Sequence, residues 1–314
     1  MIGALFTALF FGVTPVVAGR ATALIGFVRT NVIRLSFAVT ILGIWAFAFG
    51  QGLRGQTALF VAAGAIGFGI GGLSLLAALP RLGAPLASLV EETVAAPVAA
   101  IVAWFWYSSK LTNLQLVFCA VILVGVVIGL LPYVRATAVK GVAFKNVALG
   151  IGLALLAALA QGISVAATQH GQQLMKAAHT PPDALTVAFQ RLIGGAVVAL
   201  AVYAIARWMW GRRWGFTAAD GSVKSVLSSD GGKLTTRPLF WGGLNSLCGP
   251  ILGVTCLVWA LQTISAGVAQ SVQAVAPLIA VPFAFWLQGH KPPRLWFVGA
   301  VIAIAGLALL YLNS

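Results

Sequence analysis

The chain has 314 residues, of which 61% are hydrophobic and 8% are charged. A soluble domain typically carries about 25% charged residues, so this composition excludes an ordinary soluble protein. The net charge of +14 does not indicate nucleic acid as a partner, because the 19 Lys and Arg residues are scattered between apolar runs instead of gathering on one exposed face.

Ten apolar runs are long enough to cross a bilayer as helices, which takes about 20 residues each. In chain order they are 1–19, 31–50, 57–79, 84–107, 112–133, 146–168, 184–210, 239–261, 264–287 and 294–313. The runs are continuous and lack the alternation of a membrane barrel. The first has no basic segment before it, so we interpret it as a span and not as a signal peptide. The sequence predicts an all-α integral membrane protein.

The basic residues indicate the orientation, because short cytoplasmic loops are enriched in Lys and Arg. With ten spans, one side receives all of them except Arg54, Lys110, Lys176 and Arg191. This bias predicts that both termini lie outside the cytoplasm. The longest loop, about 211–238, is then a cytoplasmic linker, and we expect the protein in the cell inner (cytoplasmic) membrane.

The two halves of the sequence resemble each other. Three matched segments carry the resemblance: ALFTALFFGVT at 4–14 with ALLAALAQGIS at 154–164, Arg34-Leu35 with Arg191-Leu192, and Ala96-Pro97-Val98 with Ala276-Pro277-Leu278. We therefore predict two five-helix repeats, 1–140 and 141–314. Because each repeat has an odd number of spans, the second repeat crosses the membrane in the opposite orientation to the first. Inverted repeats are typical of transporters, with a site near the midplane between them.

These features resemble the drug/metabolite transporter superfamily, in particular its EamA-type members with two five-helix repeats. The resemblance covers nearly the whole chain and is carried by Gly12 and Gly162, Arg34 and Arg191, Pro97 and Pro277, and the glycines at 125, 129 and 299–306. Phe11 and Gln161 stand where the family often has Trp. The resemblance implies export or exchange of amino acids, other metabolites or drugs.

Glu91 and Glu92 are adjacent carboxylates inside the predicted fourth span. A charge at the bilayer centre costs about 2.5–3.5 kcal/mol even on the lenient insertion scale, so such residues face a cavity or a partner. A carboxyl group in a cavity could exchange a proton for a cationic or neutral substrate. The alternative is that one glutamate pairs with Arg34 or Arg191 and only holds helices together.

The ninth span contains a polar pair that matches the glutamate region. An offset of 182 residues aligns Ser88 and Glu91 with Gln270 and Gln273. Residues spaced i, i+3 lie on one helix face. This alignment makes Glu91 the stronger cavity candidate and Glu92 the second.

Arg34 and Arg191 occupy matched positions in the two halves. Each could bind a substrate carboxylate or neutralise a glutamate, or could instead snorkel to the membrane interface. The remaining candidates for substrate binding or coupling are polar or aromatic residues within the spans: Thr14, Gln161, Ser164, Thr168, Asn245 and Trp259. Those at 161, 164 and 168 share a helical face, which could line a cavity or hydrogen-bond a neighbouring helix.

Nothing in the sequence predicts an enzyme, a cofactor or a metal site. It has no Gly-rich phosphate-binding loop with Lys, and its His and Cys residues lack ligand spacing. We therefore expect a secondary transporter that moves a small organic molecule across the lipid bilayer by alternating access. Protons could be coupled through Glu91 and Glu92. The alternatives are a flippase for a lipid-linked intermediate and a membrane-embedded enzyme, and the sequence leaves the oligomeric state open.

Overall fold

The structure is a computed structural model that describes residues 1–139, 144–210, 215–217, 223–225, 236–288 and 293–313. Within these residues, ten helices are long and apolar enough to cross a membrane, which confirms the predicted fold class. The spans, first to tenth, are Ile2–Ile25, Phe27–Ala48, Thr57–Leu82, Ala84–Tyr107, Asn113–Val139, Phe144–Ala177, Ala184–Trp210, Thr236–Ala260, the interrupted pair Ala266–Gln273 and Ala276–Gln288, and Arg294–Leu312.

The first span continues to Ile25, beyond its predicted end at residue 19. The turn into the second span is made by Gly26, whose φ is 79°. Gly83 has the same φ and joins the third span to the fourth. Glycine adopts this left-handed region without steric cost, so each pair of spans is joined by a single residue.

The third and eighth spans change from α-helix to π-helix at matched positions. The π-helical segments are Ala65–Gly71 and Leu247–Gly253, and they stand 182 residues apart, like Glu91 and Gln273. π-helix is rare and often lies at functional sites. The two halves therefore share an irregularity as well as their regular helices.

The ninth span is interrupted at residues 274–275, whereas the fourth span is one continuous helix. The offset between the repeats falls from 182 at Gln273 to 180 at Pro277, so the second repeat is two residues shorter here. Removing two residues from an α-helix rotates the rest of that helix by about 200°. The interruption compensates for this rotation, so both parts of the ninth span can still face their neighbours.

The packing of the spans has a two-fold pattern. The fourth span packs against the sixth as the ninth packs against the first, and the third packs against the seventh as the eighth packs against the second. A side chain at Gly12 would press on Ile279, and one at Gly162 would press on Val98. Small residues allow such close helix approach in membranes. Matched glycines thus join each half to the other.

Large apolar side chains cover the outside of the protein, and polar residues of the spans are buried within an otherwise apolar interior. Ile44, Phe105 and Val301 are 67%, 77% and 68% exposed, while both intramembrane glutamates are buried. Such large exposed apolar areas do not occur on a soluble monomer. They form the surface that contacts lipid.

Two short strands, β1 (Gly215–Thr217) and β2 (Val223–Ser225), pair antiparallel. They fall in the predicted cytoplasmic loop, where no strand was predicted. Most of the remaining residues of that loop lie outside the described ranges.

Candidate functional site

A cavity of about 40 Å³ lies between the two halves of the protein. It is lined by Phe11, Thr14, Pro15, Arg34, Gly67, Phe68, Gly72, Leu75, Glu91, Glu92, Gln161 and Gln273. Six of these residues are candidates from the sequence, and they come from five different spans. The inverted packing has brought them to one place.

Glu92 lies at the contact between the fourth and ninth spans. The amide nitrogen of Gln270 donates to its carboxylate at 2.9 Å, and that of Gln273 at 3.0 Å. The carbonyl oxygens of both glutamines have no hydrogen-bond partner among the described residues. Because a glutamine amide can turn to present either its donor or its acceptor, this pair can accompany an ionised or a protonated carboxyl group.

Glu91 has a different environment, although it is the next residue. No hydrogen bond reaches its side chain from the described part of the chain, and it lines the same cavity as Arg34. Arg34 Nε donates to Asn31 Oδ1 at 2.9 Å. The carboxyl group of Glu91 and the guanidinium of Arg34 thus line one cavity without a direct ion pair between them.

Arg191 is fully buried behind the cavity wall. Its Nη2 donates to Ser164 Oγ at 3.1 Å, and its guanidinium carbon lies 5.0 Å from the centre of the Phe68 ring. Its Nε and Nη1 have no hydrogen-bond partner among the described residues. Neither this side chain nor Arg34, which is 6% exposed, extends to the surface in the manner of a snorkelling residue.

The hydroxyl groups of Ser164 and Thr168 in the sixth span and of Thr14 in the first span are bonded to backbone. Ser164 Oγ donates to the carbonyl of Ala63 at 2.6 Å, and Thr168 Oγ1 donates to that of Ser164 at 2.7 Å. Thr14 Oγ1 donates to the carbonyl of Phe10 at 2.9 Å. Hydroxyls bonded in this way contribute to packing. Of the residues at 161, 164 and 168, Gln161 lines the cavity.

Asn245 and Trp259 are two more of the candidates that do not line the cavity. Asn245 is fully buried, and both polar atoms of its side chain lack a partner within the described ranges. Trp259 is 47% exposed and contacts Gly3 beside a separate surface pocket of about 300 Å³. The structure therefore does not place Trp259 with the glutamates.

Sequence reasoning missed the apolar part of the lining. Pro15, Phe68 and Leu75 face the cavity but carry no polar signal in an apolar chain. Phe11 could have been selected, because it is the repeat mate of Gln161. Asn31 was also missed, although it lies one helical turn before Arg34.

The cavity is small for a ligand site. A water molecule needs about 10–15 Å³ of cavity volume, so a cavity of 40 Å³ holds roughly three water molecules. Pockets for organic ligands are typically about 300–1,000 Å³. In this conformation the cavity at the glutamates is contracted and too small for an organic molecule.

The sequence pattern of the EamA-like transporter family matches residues 1–131 and again 148–312. The chain belongs to the EamA-like transporter family. It is therefore a multi-pass membrane transporter and not an enzyme, as the sequence analysis predicted. Its two family matches agree with the repeated halves seen in the packing.

Thirty chains of solved structures resemble this transporter. One crystal structure is 15% identical to it, with a TM-score of 0.69 over 99% of this chain and 96% of that chain. At this identity the likeness shows a shared fold. Among curated proteins, none matches the sequence.

Proposed function

We propose that this EamA-like transporter is a secondary transporter that moves a small organic metabolite, amino acid or drug-like compound by alternating access. We further propose that protons are coupled to this movement through Glu91 and Glu92. The observation that carries the proposal is the pair of adjacent glutamates on one buried cavity between inverted halves.

The two glutamates have different environments, which supports different roles for them in transport. Glu91 has no hydrogen-bonding side chain to compete with a substrate among the described residues, so its carboxyl group is free to bind a cationic or donor group. Glu92 is held by Gln270 and Gln273 from the other half. A proton on Glu92 therefore changes a contact between the halves, which is the contact that alternating access must alter.

The coupling is tested in proteoliposomes that contain a pH-sensitive dye. A panel of amino acids and other metabolites is added outside, and a transported compound is recognised by a change of luminal pH. We expect the double variant Glu91→Gln, Glu92→Gln to lose this response by tenfold or more, because an amide cannot take up and release the proton. The single variants assign the loss to one carboxyl group.

The matched control is Asp220→Asn with Asp230→Asn, which removes two carboxylates from the predicted cytoplasmic loop. This variant should retain the full response. An undiminished pH response in the double glutamate variant would show that coupling does not use these residues. Movement of a lipid-linked compound, with no response to any soluble one, would instead support a flippase.

A further inference from the structure

Arg191 is a buried cation whose charge has no counter-ion among the described residues around it. Its side chain is fully buried, and its one hydrogen bond within those residues goes to the neutral hydroxyl of Ser164. The face of Phe68 covers it. An uncompensated buried charge is strongly destabilising, so this residue needs an explanation that packing does not provide.

Arg34 occupies the matched position in the first half, and it has neighbouring polar groups that Arg191 lacks. Arg34 Nε has an acceptor in Asn31, but the matched position beside Arg191 is Ala188. Arg34 lines the cavity together with Glu91, but the position in the ninth span that matches Glu91 is Gln273. The second half therefore keeps the arginine but has neither the hydrogen-bond acceptor nor the carboxyl group found at the matched positions of the first half.

Arg191 lies one side chain away from the cavity. Phe68 and Gly67 line the cavity. The ring of Phe68 also covers the guanidinium of Arg191. Gly67 lies against Ser164, which is the hydrogen-bond partner of Arg191. Phe68 and Gly67 belong to the π-helical segment Ala65–Gly71. A movement of this segment would join the space at Arg191 to the cavity.

We infer that Arg191 is a second ligand-binding residue, which takes an oxyanion, a carboxylate or phosphate group, on the transported molecule when Phe68 moves aside. The inference rests on the proposed function, since it assumes that the contracted cavity opens to admit a substrate. The oxyanion supplies the counter-charge that Gln273 does not. Hydrogen bonds from a guanidinium to an oxyanion are among the strong ones in proteins.

Thermal unfolding of the purified protein in detergent tests the inference. The probes are sodium acetate, sodium phosphate and methylammonium chloride at matched ionic strength. A ligand that binds the folded state raises the apparent Tm. We expect acetate or phosphate, but not methylammonium, to raise the Tm of the wild type, and we expect Arg191→Met to abolish this rise.

Three further variants sharpen the result. Arg54→Met removes an exposed cation and should leave the rise unchanged. Ala188→Asn supplies the acceptor that Arg34 already has, and it should weaken the rise while the charge remains. If Arg191→Met does not fold, Arg191→Lys keeps the charge with fewer donors and should reduce the response.

An Arg191→Met protein that responds to acetate and phosphate like the wild type overturns the inference. A Tm rise in nanodiscs with phosphatidylglycerol, without any response to soluble anions, also overturns it, because the oxyanion then belongs to a lipid. The measurement involves no proton flux. Its failure is therefore distinct from a failure of proton coupling at Glu91 and Glu92.

Discussion

Glu91 and Glu92 are neighbours in the chain but differ in their contacts. Adjacent residues on a helix point about 100° apart, and this rotation turns Glu92 toward Gln270 and Gln273 and Glu91 toward Arg34. The sequence ranked Glu91 ahead of Glu92 as a cavity residue and selected the two glutamines. It did not predict that the glutamines bond Glu92, since the repeat offset aligned Gln273 with Glu91.

The contact between Gln273 and Glu92 can be tested by Gln273→Leu. This change removes donors to a buried carboxylate and should lower the free energy of unfolding by about 1.5–3 kcal/mol. The apparent Tm of the purified protein measures the effect. Ser271→Ala is the control, because Ser271 Oγ donates to the carbonyl of Gly267 within its own helix. Equal Tm values for the two variants would contradict the assigned hydrogen bonds.

Three spans are irregular, and two of them, the third and the ninth, line the cavity. The third and eighth contain π-helical segments, and the ninth is interrupted. A π-helical segment or an interruption changes the rotation of the rest of the helix and therefore which residues face its neighbours. Gly64, at the end of the α-helix before the first π-helical segment, lies directly against the backbone carbonyl of Arg191. The third span is thus fitted closely to the seventh.

Gly64→Ala tests this fit. Its Cβ would overlap the carbonyl oxygen of Arg191, and because that atom is backbone it cannot move aside alone. We expect a loss of stability of about 1–3 kcal/mol or more, observed as a lower apparent Tm and a smaller monodisperse fraction. Gly152→Ala is the matched control, since no atom lies within 4 Å of a Cβ placed there. A tolerated Gly64→Ala would mean that the third span packs elsewhere.

At the scale of the whole molecule, each contact between spans has a matching contact in which the two halves have swapped roles. The cavity lies where the halves meet. The contacts do not depend on which side of the membrane is cytoplasmic. That orientation stays a prediction from the distribution of Lys and Arg, which concentrates them on the side of the loop at 211–238.

Reporter fusions at the C-terminus test the orientation. Alkaline phosphatase folds outside the cytoplasm and green fluorescent protein folds inside it, so we expect an active phosphatase and a dark fluorescent protein at Ser314. The same reporters inserted in the loop at 211–238 should give the opposite pair of results. Fluorescence at the C-terminus with phosphatase activity in the loop would reverse the predicted topology.

The sequence by itself determined the ten spans, the inverted pairing of the halves and the polar residues that merit attention. These follow from the length of apolar runs and from repeated segments, which are properties of the chain alone. Only the tertiary structure decided which side chains meet: Glu92 with two glutamines, Arg191 with Ser164 and the ring of Phe68, and Trp259 with the outer surface. In a membrane protein every face of a helix is largely apolar, so periodicity does not fix its rotation. The π-helical segments and the interrupted ninth span then change that rotation partway along the helix, and packing against neighbours sets the result.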